Sequence, residues 1–379
     1  MELNPVGKTS QWVAGLRSME SAKPEGQRRL FDPFAEKFTT EETIKHFDAI
    51  EKILPTATAH FVDCIVQRHL TFDAVVTQYA NIIPQVVIAG CGGDSRSRRL
   101  SVPRECTFFE LDQSEVLAFR ERVFPAADPQ NGPRIRPVAV DFRQSDWTQQ
   151  LLTAGFRADL PSVWIMEGLL PYLSPSQQAF FISQVTTLCP SGSVMAGDYN
   201  AGLPQLQALT KHFPQLRALM EHFQPRELKV SGLDYPENLF ILLGWPQVSC
   251  TEMEGAMLAS EQLLQLYRQM PRSPPPAITD AHRELFAGYL SHLKDPGPDT
   301  FLVKETLPHA LQEVLWAPKL PPELAERVFE EGKPEDVAVN DPTLISNTLP
   351  RWTFFTAFRQ EKPPQEAAES AVPGSGGGR

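Results

Sequence analysis

Val86-Val87-Ile88-Ala89-Gly90-Cys91-Gly92-Gly93-Asp94 is the stretch on which the fold turns. A short run of Val and Ile without polar interruption reads as a strand buried on both faces, and this one runs straight into glycines. Glycines at the end of such a strand let backbone approach a ligand with no Cβ in the way. The dinucleotide pattern of three spaced glycines is broken here, because Ser95 stands at the third position. On its own the loop is compatible with a cofactor site or with a tight strand-to-helix turn.

Working outward, the next apolar run, Phe108-Phe109-Glu110-Leu111-Asp112, ends in acids roughly twenty residues further on, where a carboxylate can accept from both hydroxyls of a ribose. Strand alternation puts Glu110 and Asp112 on one face, so both are candidates. Val138-Ala139-Val140-Asp141-Phe142 ends in an acid and an aromatic, a pair suited to an adenine ring. Trp164-Ile165-Met166-Glu167-Gly168 ends in another acid. Ligands of open α/β sheets sit outside the carboxyl ends of the strands, so these groups should converge on one cleft.

The wider pattern predicts strands at 85–89, 106–111, 135–140, 162–166 and 193–196, with crossover helices at 113–123 and 174–188. That alternation specifies a doubly wound parallel sheet covered on both faces. Helices over 10–19, 41–54 and 59–79 precede it and form an N-terminal helical cap over residues 1–80. The cofactor-binding α/β core spans 81–254, with a helix at 203–223, a lid-like segment at 199–245 and a strand at 247–253. Residues 255–350 are punctuated by prolines, among them Pro274-Pro275-Pro276 and Pro321-Pro322, and read as a helical insertion with helices near 278–293 and 322–331. A closing strand is expected within 351–360, at 352–358, and a disordered tail over 361–379.

Composition narrows the function. The chain has 379 residues and a net charge of -11, which argues against nucleic acid as a main partner, since phosphate binding needs clustered Lys and Arg. Five scattered cysteines without a CxxC pair suggest free thiols in a reducing, cytosolic setting rather than disulfides or zinc. No metal is expected, and no apolar run approaches the length that spans a bilayer.

Taken in order, these motifs resemble the leucine carboxyl methyltransferase-like family of S-adenosylmethionine-dependent enzymes, which includes polyketide O-methyltransferases. The resemblance runs over about 10–250, through Trp12–Glu20, Leu30–Phe38, Arg68 with Phe72-Asp73, Gly93-Asp94-Ser95-Arg96, Phe109–Asp112, Asp141-Phe142 and Glu167-Gly-Leu-Leu-Pro-Tyr-Leu173. It implies the sheet of a class I methyltransferase (Rossmann-like) and S-adenosylmethionine as cofactor. It further implies that Arg68 pairs with the cofactor's carboxylate, that Gly90, Cys91 and Gly92 line it, and that Asp112 holds the ribose. Asp141 and Phe142 would meet the adenine, and Glu167 the methionine amino group or reactive end. Asp94, Arg96 and Arg99 would brace the loop. Tyr172 and Tyr199 are candidates for contact with the acceptor, and no base stands out among His212, His222 and Tyr199. The expected activity is O-methylation of a small-molecule hydroxyl or carboxylate. Its alternatives are methylation of a protein C-terminal carboxylate, a non-catalytic cofactor-binding protein and, least well supported, a nicotinamide dehydrogenase.

Overall fold

The computed structural model describes residues 3–53, 57–124, 132–142, 144, 146–201, 232–253, 273–293, 307–318 and 351–359. Its centre is a seven-stranded sheet: β1 (Gln85–Ala89), β2 (Thr107–Asp112), β3 (Arg134–Ala139), β4 (Val163–Met166), β5 (Val194–Ala201), β6 (Gln247–Met253) and β7 (Arg351–Phe358). The strand order is β3-β2-β1-β4-β5-β7-β6. β1 to β5 run parallel, and β7 enters antiparallel between β5 and β6.

The unbroken apolar runs are explained by division between two layers. Val86 and Ile88 face one side, with Phe108, Val163, Ile165, Val194 and Ala196, where they meet Phe72, Val75, Val76 and Tyr79 of helix α4 (Ala57–Tyr79). Val87 and Ala89 face the other, with Phe109, Leu111, Trp164, Met166 and Met195, against Trp147, Phe181 and Val185. Each alternate side chain therefore has its own core.

Two sequence expectations shift. β2 begins at Thr107 and takes in Asp112, and β5 runs on to Ala201 rather than stopping at Ala196. Gly197, Asp198 and Asn200 have poor strand propensity, but every residue of β5 is paired with β7, and that pairing overrides local preference. Gly197 is needed there, since a Cβ would sit 2.8 Å from Phe355 and 2.9 Å from the Met166 carbonyl.

The cap comprises α1 (Pro5–Ser21), α2 (Ala35–Phe38), α3 (Glu41–Ile53) and α4. Asn4 caps α1 by accepting from the Gly7 amide, with Pro5 in the first turn where its missing N–H costs nothing. Of the expected insertion, the helices Asp280–His292 and His309–Leu315 place Phe286, Leu311, Val314 and Leu315 in the same apolar cluster as the sheet. The expected helices 203–223 and 322–331, His212, His222 and the tail 361–379 lie outside the described residues. No described helix is long and apolar enough to cross a membrane.

Candidate cofactor site

Parallel pairing sets the ends of β1, β2, β4 and β5 on one edge of the sheet, and the candidate residues gather there. Asp112, the last residue of β2, accepts from the Gly92 amide at 2.7 Å through Oδ2 and from the Gln113 amide at 2.8 Å through Oδ1. It therefore shapes the glycine loop while each oxygen keeps lone-pair capacity for a further donor. Burial raises its pKa against the two amides that favour the carboxylate. Glu110 is different. It is buried, bonded to Ser97 at 2.6 Å and paired with Arg98 at 2.7 Å and Arg120 at 2.6 Å. Its same-face position made it a cofactor candidate, but one layer deeper those partners commit it to the scaffold.

The glycines make room for protein. Gly90 and Gly92 have positive φ, at 67° and 37°, a region other residues rarely adopt. A Cβ on Gly90 would approach Leu169 at 3.1 Å, and one on Gly92 would meet Ser10 of α1 at 2.7 Å. Arg17 of α1 donates to the Gly93 carbonyl at 2.6 Å, and Arg120 donates to the Gly92 carbonyl at 2.5 Å. The side-chain direction is thus occupied by Leu169 at Gly90 and by the cap at Gly92, leaving the loop backbone and Asp112 to present to a ligand. Cys91 points into the core, where burial pushes its thiol well up. Asp94 and Arg96 pair, and Arg96 also reaches Asp73 at 2.7 Å, so the loop is braced by ions as expected.

Arg68 arrives from α4, which lies along the sheet through Phe72 and Val76, one and two turns further on. Its guanidinium, 7% exposed, pairs with Glu167 at 2.9 Å and with Asp198 at 3.5 Å. Trp352 of β7 stacks over it, 5.1 Å from the ring centroid, and donates to Asp198 at 2.8 Å. The other Asp198 oxygen accepts from the Gly168 amide at 2.6 Å. Burial raises the Asp198 pKa, with Arg68 the main opposing charge. Burial would raise that of Glu167 too, but Arg96, His69 and Arg68 outweigh it and hold this carboxyl well below its ordinary value.

His69 closes the cluster. Its Nδ1 lies 3.0 Å from Glu167 Oε2 and its Nε2 lies 3.0 Å from Arg99 Nη2. Burial and the neighbouring Arg96 push its pKa down, so the ring is neutral and has one N–H. Only Nδ1 has an acceptor within hydrogen-bond distance, since the carboxylate nearest Nε2, that of Asp73, lies 3.9 Å away. We assign the proton to Nδ1, donating to Glu167, while Nε2 accepts from Arg99. Arg96 Nη2, also close to Nδ1, has its own acceptor in the His69 carbonyl at 2.8 Å.

Tyr172 belongs to this end of the site: it bonds to Thr9 of α1 at 3.1 Å and lies within the fields of Arg68 and Asp198. Phe142 is packed edge-on against Trp147 and Phe181, at 5.5 and 4.8 Å between centroids, and is 9% exposed, so most of its surface belongs to the core. Asp141 lies just beyond β3 on the same edge as Asp112. Tyr199 is not brought to Arg68. It faces the opposite side of the sheet, against Phe240 and Phe355.

His69, Asp198 and Trp352 were not read from the sequence as site residues. The rule that drew attention to Asp112, Asp141 and Glu167, an acid at a strand's carboxyl end, applies equally to Asp198. It would have found this residue just past the expected strand end at 196; in the structure β5 runs on past it to Ala201. Trp352 carried no such signal, being 284 residues from Arg68 in the chain.

A sheet with this strand order, a glycine turn after β1 and an acid ending β2 defines a class I methyltransferase. A sequence model of the family described as leucine carboxyl methyltransferase matches residues 10–186. A protein of Mycobacterium avium (strain 104) named "Putative S-adenosyl-L-methionine-dependent methyltransferase" is 31% identical over 214 residues, covering 54% of this chain and 69% of the relative. One of the same name from Mycolicibacterium gilvum is 32% identical over 209 residues, covering 52% and 67%. Another from Mycolicibacterium paratuberculosis is 36% identical over 199 residues, covering half of this chain and 65% of the relative's length. Among solved structures, a DUF574 family protein from Streptomyces avermitilis aligns with a TM-score of 0.40 and 13% identity, covering 64% of this chain and 84% of that one. The chain belongs to the leucine carboxyl methyltransferase family of S-adenosylmethionine-dependent methyltransferases.

Proposed function

We propose that this chain transfers a methyl group to an oxygen of a small molecule, a hydroxyl or a carboxylate. The observation that carries the reading is the cluster of Arg68, His69, Glu167 and Asp198 on the sheet edge that also bears Asp112. Together with Arg96, Arg99, Asp73 and Asp94, it sets three guanidinium groups against four carboxylates around a neutral histidine. With all of them ionised, the cluster carries one net negative charge. S-adenosylmethionine carries an ammonium and a sulfonium against one carboxylate, so the charges are complementary. Asp112 has the lone pairs for a ribose, Arg68 the fork for a carboxylate, and Glu167 the ionised oxygens for an ammonium.

The bound sulfonium supplies an already activated methyl group. The protein's task is then alignment and exclusion of water, effects that can supply several kcal/mol, on the order of 7–11 at best. Little here resembles a poised base. Glu167 is held ionised by its cations, both oxygens of Asp198 are engaged, and burial keeps the Tyr172 phenol protonated and able to donate. That favours an oxygen that is already anionic or gives up its proton readily, a carboxylate or an acidic hydroxyl.

Calorimetric titration with S-adenosylhomocysteine, S-adenosylmethionine and NAD tests the site, with Asp112→Ala alongside. Saturable binding of the first two, weakened at least tenfold in the variant, is expected. Methyl transfer to phenols and aromatic carboxylates tests the acceptor. Binding without transfer to either class would remove the small-molecule reading, and transfer to a peptide ending in leucine would replace it.

A further inference from the structure

On the face of the sheet opposite Arg68, β5 and β7 bring two hydroxyls together. Tyr199 and Thr353 are directly paired across the antiparallel ladder, so their side chains share a face and neighbour each other. Tyr199 is 0% exposed and Thr353 is 1% exposed. Neither the Tyr199 hydroxyl nor the Thr353 Oγ1 has a hydrogen-bond partner. Buried polar groups are nearly always bonded, and one such orphan calls for explanation. Two on adjacent strands, at paired positions, place two unbonded hydroxyls where one polar group can meet both.

Their surroundings define its chemistry. Tyr199 rests on Phe240 and Phe355, whose rings are 4.3 Å apart, so the bed is apolar and aromatic. Glu252 of β6 pairs with Thr353 on its other side and completes the row with a carboxylate, which opposes an anion. Burial keeps the Tyr199 phenol protonated, so it can donate. Tyr199 and Thr353 lie two residues, and Glu252 one residue, inside the edge at which β5 and β6 end and β7 begins, and Asp198, adjacent on β5, belongs to the Arg68 cluster on that same edge.

We propose that Tyr199 and Thr353 form the recognition subsite for the methyl acceptor, binding a neutral hydroxyl or carbonyl oxygen at the far end of a flat apolar molecule. This rests on the small-molecule reading above and narrows it: the acceptor carries a second, uncharged oxygen remote from the one that is methylated. Neither residue takes part in the transfer; they set which molecule is held and in which direction.

A ligand cycle separates this from a structural role. With S-adenosylhomocysteine bound, the protein is titrated with 2,6-dihydroxynaphthalene and with 2-naphthol, which lacks the second hydroxyl. The dihydroxy probe should bind about tenfold more tightly, one hydrogen bond's worth at about 1.4 kcal/mol per decade. Tyr199→Phe and Thr353→Val should each erode that advantage, leaving 2-naphthol and S-adenosylhomocysteine binding unchanged. Because the Tyr199 hydroxyl bonds to nothing, Tyr199→Phe should melt no lower than the parent protein. The proposal is overturned if the variants weaken both probes alike or neither, if Tyr199→Phe lowers the melting temperature, or if S-adenosylhomocysteine binds and the dihydroxy probe does not. Failure of S-adenosylhomocysteine itself to bind would instead strike at the function proposed above.

Discussion

At the scale of single residues, the site is governed by who holds the carboxylates. Asp112 and Glu110 are two positions apart on one strand, yet one keeps capacity for a ligand and the other is consumed by Arg98 and Arg120. His69 shows the same economy. It is a positioning residue that orients Glu167 with one nitrogen and anchors to Arg99 with the other. His69→Leu removes both bonds and leaves Glu167 held by Arg68 and Arg96 alone. It should weaken S-adenosylhomocysteine by about ten- to a hundredfold, the range of one bond to a charged group at roughly 1.5–3 kcal/mol. His69→Asn, whose amide can still donate to Glu167, should recover part of the loss. Calorimetry on the two variants checks this, and equal losses would deny the orienting role.

At the scale of elements, α1 is more than a cover. It fills the Cβ space of Gly92, bonds to Gly93 through Arg17 and meets Tyr172 through Thr9. What fixes its far end is Glu20, which accepts from the Arg29 amide at 2.7 Å and from Lys23 at 2.6 Å. Burial pushes the Glu20 carboxyl up, but the bonds from Arg29 and Lys23 outweigh it and hold it at about 2, against an ordinary 4.5. A depressed carboxyl contributes stability that is present above its unfolded pKa and lost as pH falls toward its folded one. The protein should therefore lose stability between pH 4.5 and about 2 through this group. Because Arg29 and Lys23 are nearly half exposed and screened, the loss is about 1–2 kcal/mol rather than the full shift. Urea unfolding across that range should show a shallower pH dependence for Glu20→Gln.

At the scale of the whole molecule, the site depends on distant parts of the chain meeting. Arg68 comes from the cap, Glu167 and Asp198 from the middle of the sheet, and Trp352 from the last strand. Trp352→Leu removes the ring above Arg68 and the bond to Asp198, and should loosen cofactor binding several-fold, on the order of 1 kcal/mol. Trp352→Phe, which keeps a ring for the cation but not the donor, should fall between. Equilibrium binding of S-adenosylhomocysteine distinguishes the three proteins, and identical affinities would mean that β7 closes the sheet without supporting the site.

How much of this was legible in the chain follows from how local each signal is. The run Val86–Ala89 and its glycines needed only neighbours to be read, and β1 formed over the residues expected. The acids at 112, 141 and 167 were recognisable because parallel strands end on one edge whatever their lengths. The extension of β5 was not legible, since residues of poor strand propensity are held there by pairing with β7, far along the chain. The fate of Glu110 was equally hidden, because alternation gives a face but not the arginines that reach it. By itself the sequence determined the fold class and the edge on which the candidate acids stand, through periodicity and turn chemistry. Only the tertiary structure decided which charges neutralise one another and which hydroxyls are left unbonded, because electrostatic and hydrogen-bond partners are chosen by distance in space.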